Sequence, residues 1–167
     1  MLGLEYNTPI ITSANWRDLT TICLEHCSHF SLTDHSDRYC KDDLKRQLMP
    51  YLYKKINTTQ WFCYRVTETN PLLISIYPVN HFTASVLLRY CDDLWSSGDT
   101  TTKFHQSFED LCFFSNDQLV LGTVTHEDIC CIDPPNDDLK KAFYEIYPYW
   151  RETMLLFGSI NLNDYIS

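Results

Sequence analysis

The residues best suited to proton chemistry lie in one short stretch, where His126 is followed by Glu127 and Asp128. An imidazole titrates near neutral pH, so a histidine beside carboxylates can act as a general base. The sequence places no nucleophile beside it and has no motif of a nucleotide-binding loop, a serine hydrolase or a zinc protease. We therefore predict no catalytic residue and keep an enzyme centred on His126 as an alternative.

The best candidate metal ligands are Cys23, His26 and Cys27, with His29 close behind them. Residues three and four apart share one face of a helix. A structural zinc site needs four ligands in a closed tetrahedron, and the sequence shows no second half for it. We therefore predict a core cysteine pair, no metal and no cofactor, and keep a metal-binding structural module as an alternative.

Charge is distributed very unevenly along the chain. Residues 92–138 hold eleven Asp or Glu and one Lys, whereas the rest holds eleven acids and twelve bases, so the net charge of −9 belongs to one segment. Such a segment repels phosphate backbones, which predicts no nucleic-acid binding. It favours a basic protein partner, whose approach it would steer, although an acidic surface also serves solubility alone.

The residues predicted to contact that partner are Asp92, Asp93, Glu109, Asp110, His126, Glu127 and Asp128. Neighbouring hairpin strands would present the last five together, so we expect them on one surface. Tyr and Trp are frequent at binding hot spots, with core packing as the alternative reading. The aromatic candidates are Trp95, Tyr144, Tyr147, Tyr149 and Trp150.

Helical and strand periodicities define the elements that must position these residues. Helices are predicted at 15–28 with Asn15 as its cap, at 41–55 with a kink or stop at Pro50, at 80–95 with Phe82 on its buried face, and at 136–147 with Asn136 as its cap. Strands are predicted at 29–33, 61–67, 72–79, 111–114, 118–125 and 129–133, with 61–67 paired to 72–79 and with 153–160 as a further edge strand. Strands grouped in hairpins with helices between them predict a single α+β domain over 1–167. About four helices should pack on a largely antiparallel sheet.

The surroundings in which the protein works are also predicted. No apolar run approaches the ~18–20 residues that span a bilayer, so we expect no membrane partner. The first twenty residues lack the basic and apolar pattern of a secretory signal. We therefore expect a cytoplasmic protein with reduced cysteines, of unknown oligomeric state.

One stretch resembles a known group of proteins. It runs from Phe108 to Phe114 as an E-D-L strand and, after a polar turn, from Leu119 to the His126-Glu127 pair, with similar segments at 30–32 and 48–52. This pattern resembles a family of small, mostly uncharacterised acidic bacterial proteins in which immunity proteins of toxin systems are found. The resemblance implies an α+β protein without known catalysis, which binds and neutralises a cognate toxin.

Charge and resemblance together predict a non-enzymatic protein-binding module. In its most concrete form the hypothesis is an immunity protein that neutralises a basic bacterial toxin domain through the acidic segment 92–138.

Overall fold

The computed structural model describes residues 1–4, 11–34, 43–90, 108–124, 129–153 and 160–166. The helices in these ranges are α1 (Ser13–His26), α2 (Asp43–Leu48), α3 (His81–Tyr90), α4 (Asp137–Ile146) and α5 (Asn163–Ile166), with a 3₁₀ turn at Met49–Tyr51. The strands are β1 (Leu2–Gly3), β2 (His29–Asp34), β3 (Lys54–Thr58), β4 (Gln60–Trp61), β5 (Tyr64–Arg65), β6 (Leu72–Pro78), β7 (Phe108–Ser115), β8 (Gln118–Val124), β9 (Ile129–Ile132) and β10 (Arg151–Glu152).

Eight of these strands form one antiparallel sheet in the order β10-β1-β9-β8-β7-β2-β6-β3. Strands β4 and β5 form a separate hairpin. This arrangement confirms the predicted α+β class with a largely antiparallel sheet.

The sheet is covered on both faces because successive strand side chains point to opposite sides. One face carries Phe30, Leu32 and Phe113, which pack in a cluster with helix residues such as Trp16 and Phe143. The other face packs in a second cluster, whose cover includes the β4–β5 hairpin and the segment 160–166. Cys130 and Cys131 belong to different clusters, which confirms that the adjacent pair faces opposite ways.

Polar caps set the beginnings of the helices. Asn136 caps α4, and its side-chain oxygen accepts the Leu139 N–H at 2.9 Å, as predicted. Helix α1 instead begins after Thr12, which forms a capping box with Asn15. The sequence placed the cap at Asn15 because both residue types are good caps and only the backbone distinguishes them.

Two predicted elements are wrong. The expectation that Pro50 interrupts the second helix is confirmed, because Pro50 lies in the 3₁₀ turn that follows α2. The helix does not continue to residue 55, however, because Lys54–Thr58 form the edge strand β3. Residues 61–67 were expected to pair with 72–79, but β6 pairs with β2 and β3, and the 60–65 hairpin lies on the sheet. Within the described ranges, no helix is long and apolar enough to cross a membrane.

Candidate functional site

The predicted partner-contacting residues are only partly within the described ranges. Those outside are Asp92, Asp93, His126, Glu127 and Asp128, together with the aromatic candidate Trp95. Most of the predicted edge strand at 153–160 also lies outside. Glu109 lies in β7 opposite Thr33 of β2. The expectation of one shared surface therefore stays a prediction for Glu109, His126, Glu127 and Asp128, whereas Asp110 is buried.

Asp110 does not belong to an exposed acidic surface. Its side chain is 1% exposed, and its backbone adopts the left-handed region at φ 57°. The β2–β7 register shifts at this point, and a shift of this kind turns a side chain away from regular alternation. Asp110 also acts on the buried Cys112 thiol, whose pKa burial raises to about 12. Sequence could not show this, because alternation alone says nothing of a bulge.

The described acids of the segment 92–138 lie partly at the β9 end of the sheet. Asp133 is 40% exposed, and Asp137 and Asp138 are exposed in the first turn of α4. With the exposed Glu152 of β10 we call these four residues the acidic surface. A cavity of about 610 Å³ opens there, lined by Asp133 and Glu152 but also by Lys140. The local negative charge is therefore partly compensated.

A second surface is formed by apolar side chains that the sequence analysis did not single out. Phe82 is 61% exposed, Tyr53 56% and Met49 45%. The Tyr51 ring stacks on Phe82, with centroids 5.8 Å apart and planes 11° from parallel. We call Met49, Tyr51, Tyr53 and Phe82 the aromatic surface.

Local structure turns these side chains outward. Pro50 lies in the 3₁₀ turn, which the Leu52 N–H closes on the Met49 carbonyl at 3.2 Å. The chain then enters β3, so Tyr51 and Tyr53 are spaced by two residues rather than by a helical turn. On the other side of the patch, the Asn80 side-chain oxygen accepts the Phe82 N–H at 2.9 Å and sets the first turn of α3.

The aromatic surface borders the start of β2 and is flanked by positive charge. The Tyr53 ring lies 5.4 Å from the His29 ring, and the Tyr53 N–H donates to the Ile76 carbonyl at 2.9 Å. Lys54 and Lys55 follow Tyr53 in the edge strand. Residues 43–90 as a whole contain six Lys or Arg and two Asp or Glu. The two surfaces thus lie toward opposite edges of the sheet and differ in charge.

His29, next to the aromatic surface, has a perturbed pKa. Burial lowers its pKa below the ordinary value, and the Asp117 charge opposes that shift only in part. Its Nδ1 lies 3.0 Å from the Ser28 hydroxyl oxygen. A histidine whose folded pKa is lowered binds its proton more readily in the unfolded chain, so protonation favours unfolding.

We therefore expect the free energy of unfolding to fall as pH drops below about 6.5, the unfolded pKa of histidine. Urea unfolding of the wild type and of His29→Gln at pH 5 and pH 7.5 measures this. The wild type should lose more stability than the variant between the two values. His26→Gln, at an exposed position of α1, is the matched control. An equal pH dependence of wild type and His29→Gln would contradict the assignment.

The aromatic candidates from sequence have mostly structural roles. Trp150 and Tyr147 are buried at 1% and 3%, and the Trp150 indole N–H donates to the Phe143 carbonyl at 3.2 Å. Tyr144 is half-buried and its hydroxyl donates to the Trp150 carbonyl. Tyr149 alone of these four is among the exposed large side chains, at 41%.

The candidate metal ligands do not converge. Cys23 and Cys27 are buried in the helix-side cluster, whereas His26 is exposed on α1. In the ranges that the structure describes, no three His, Cys, Asp or Glu side chains are grouped to hold a metal ion. The predicted core cysteine pair is therefore confirmed. His26 lies on the exposed side of α1, away from the face on which the two cysteines are buried.

Comparison with the models of known protein families, with curated proteins and with solved structures finds no match to this chain. The geometry of the two surfaces is therefore the basis of the functional conclusion.

Proposed function

We propose that this protein is a non-enzymatic protein-binding module and that its partner docks on the aromatic surface. The observation that carries the proposal is the exposure of Met49, Tyr53 and Phe82, together with the stacking of Tyr51, which lies between the first two in the chain, on Phe82. Clustered exposed apolar side chains with a polar rim mark interaction sites, and aromatic residues and Met are enriched in interface cores. Stacking of Tyr51 on Phe82 also holds that ring in place before binding, which reduces the entropy lost on docking.

A second candidate function follows from the charge of the chain and places the partner on the other surface. The acidity of residues 92–138 and the family resemblance support an immunity protein that neutralises a basic bacterial toxin domain. A basic domain would be repelled by Lys54 and Lys55, so it would approach from the acidic surface instead. Because neighbouring strands lie about 4.8 Å apart, the two surfaces are roughly 20–30 Å from each other. Substitutions in one surface should therefore not affect binding of a partner to the other.

Alanine at Phe82 or at Tyr53 should weaken partner binding by about 2 kcal/mol, which is roughly a 30-fold rise in Kd. The partner is first recovered on the immobilised protein from a lysate of the source cells, identified by mass spectrometry and purified. Calorimetry with the purified pair then gives Kd for each variant. Both side chains are more than half exposed, so the fold should survive. Tyr149→Ala removes another exposed aromatic residue, in the turn before β10, and should leave Kd unchanged.

The same pair of proteins distinguishes the two surfaces. A basic toxin on the acidic surface would be weakened by the double variant Asp137→Asn and Asp138→Asn, and its affinity would fall steeply with salt. A partner lost only in this variant would support the toxin hypothesis and overturn docking on the aromatic surface. A partner that binds all of these variants like the wild type would contradict both.

A further inference from the structure

Two cysteines from distant parts of the chain meet where the β4–β5 hairpin lies on the sheet. Cys63 is in the hairpin turn, next to Phe62, whose backbone adopts φ 46°. Cys131 is in β9, in register with Gly122 of β8 and Gly3 of β1. A side chain at either glycine would collide with this junction: a Cβ on Gly122 would lie 2.8 Å from the Phe62 ring, and one on Gly3 3.1 Å from the Cys131 sulfur. Backbone packing therefore holds the turn over Cys131.

The two cysteines pack together, since Cys63 lies against the second apolar cluster, to which Cys131 belongs. The Cys63 thiol donates a hydrogen bond to the Cys131 sulfur, and this bond lowers the pKa of Cys131 although burial opposes it. Cys131 is 3% exposed, whereas Cys63 is half-buried and within reach of solvent. The pair thus combines a reachable sulfur, Cys63, with a neighbour, Cys131, whose thiolate can take the proton of the attacking thiol.

The other described cysteines lack this combination. Burial raises the pKa of Cys112 to about 12 and those of Cys23 and Cys130 well above the ordinary value, and each of these thiols is at most 1% exposed. Cys27 lies against Cys23 in the core. Inertness of this kind is typical of structural thiols.

We propose that Cys63 and Cys131 are a redox site, which closes reversibly to a disulfide by exchange with a low-molecular-weight disulfide such as oxidised glutathione. The Cys63 thiol gives its proton to the Cys131 thiolate along their hydrogen bond and attacks one sulfur of the small disulfide. The S–S bond of the small disulfide breaks, and the departing thiolate takes the proton back from Cys131. The Cys131 thiolate then attacks the Cys63 sulfur, forms the protein S–S bond and releases the second small thiol. The two protein thiols lose two electrons and two protons, and the small disulfide gains them.

Closure would tie the hairpin to β9. The bond would link residues far apart in sequence, and such cross-links restrict the unfolded chain most. Oxidation should therefore raise the Tm of the protein and suppress movement of the hairpin away from the sheet.

The test incubates the purified full chain with graded ratios of oxidised to reduced glutathione. Free thiols are then blocked and the tryptic peptides are analysed by mass spectrometry without reduction. We expect peptide 56–65 joined to peptide 104–140, with the mass loss of two hydrogens and reversal by reduced glutathione. Fragmentation of this pair should place the bond at Cys131 rather than at Cys112 or Cys130 of the same peptide. Cys130→Ser, the neighbouring residue on the opposite face, should still form this pair.

Cys63→Ser should abolish the cross-link and the oxidative rise in Tm. This position is half-buried in a turn, so the variant keeps the test valid if Cys131→Ser does not fold. Cross-links between other cysteines, or mixed disulfides with glutathione that never resolve to the internal bond, would overturn the proposal. Neither result bears on partner binding, which the Phe82 and Tyr53 variants test separately.

Discussion

Replacing Trp61 with alanine should lower the free energy of unfolding by about 3–5 kcal/mol, as expected for a large aromatic side chain removed from a core. Trp61 is 0% exposed although it lies in a two-stranded hairpin. Its ring packs 6.0 Å from Phe114 on the sheet and 5.3 Å from Tyr165 of α5, measured between centroids. The indole therefore joins the sheet to the part of the chain that covers its second face, and alanine would leave a cavity between them.

Urea unfolding followed by tryptophan fluorescence and circular dichroism measures the loss. Phe82→Ala is the matched control, because it removes a comparable aromatic ring that is 61% exposed, and its effect should stay within about 0.5 kcal/mol. A Trp61→Ala variant as stable as Phe82→Ala would show that the hairpin does not pack on the sheet. It would also remove the contact on which the Cys63–Cys131 proposal depends.

The hairpin also shows where sequence reasoning reached its limit. Trp61 to Tyr64 is an apolar run, and such a run predicts a strand buried on both sides. The predicted pairing of this strand with 72–79 is wrong. Residues 60–65 form a separate hairpin, and its Trp61 and Phe62 are buried against one face of the sheet. Phe62 in the turn adopts a positive φ. The sequence W-F-C-Y gives no indication of this, because a positive φ is normally adopted by glycine or asparagine.

Elements with a local signal were predicted best. Helix α4 has a cap and acids in its first turn, and both features act within a few residues of the chain. The strands β8 and β9 were likewise predicted close to their observed bounds, because their residue pattern and apolar composition are visible in the sequence itself. By contrast, the second helix was predicted to reach residue 55, with only a kink or a stop in its last turn at Pro50, because Leu44, Leu48, Leu52 and Ile56 keep helical spacing. In the structure Leu48 and Ile56 belong to different clusters on opposite faces of the sheet.

The candidate surface was missed for the same reason. Tyr51 and Tyr53 were assigned to that helix, whereas their spacing of two after Pro50 was the available signal of an extended segment. Phe82 was assigned to the buried face of a helix, because periodicity does not show where the helix begins relative to its neighbours. Its exposure follows from the Asn80 cap, which places Phe82 in the first turn beyond the edge of the core.

Placing alanine at Gly122 should destabilise the protein by about 1–3 kcal/mol, and valine by more, because the added atoms overpack the hairpin junction. The new Cβ would meet two atoms of the Phe62 ring at 2.8 Å and a third at 3.0 Å. That ring cannot retreat easily, since Phe62 is 2% exposed and its backbone already adopts a strained φ of 46°.

A matched control is Gly3→Ala. Its closest contact, also 2.8 Å, is the terminal methyl group of Thr153, a half-buried side chain that can rotate away. The next contact, the Cys131 sulfur, is longer at 3.1 Å, so the loss of stability should be smaller than at Gly122. A double-mutant cycle then isolates the collision. Phe62→Leu in the Gly122→Ala background should cost less than Phe62→Leu alone, because the smaller side chain relieves the contact. Additive losses would mean that the added methyl group at Gly122 does not act through the Phe62 ring.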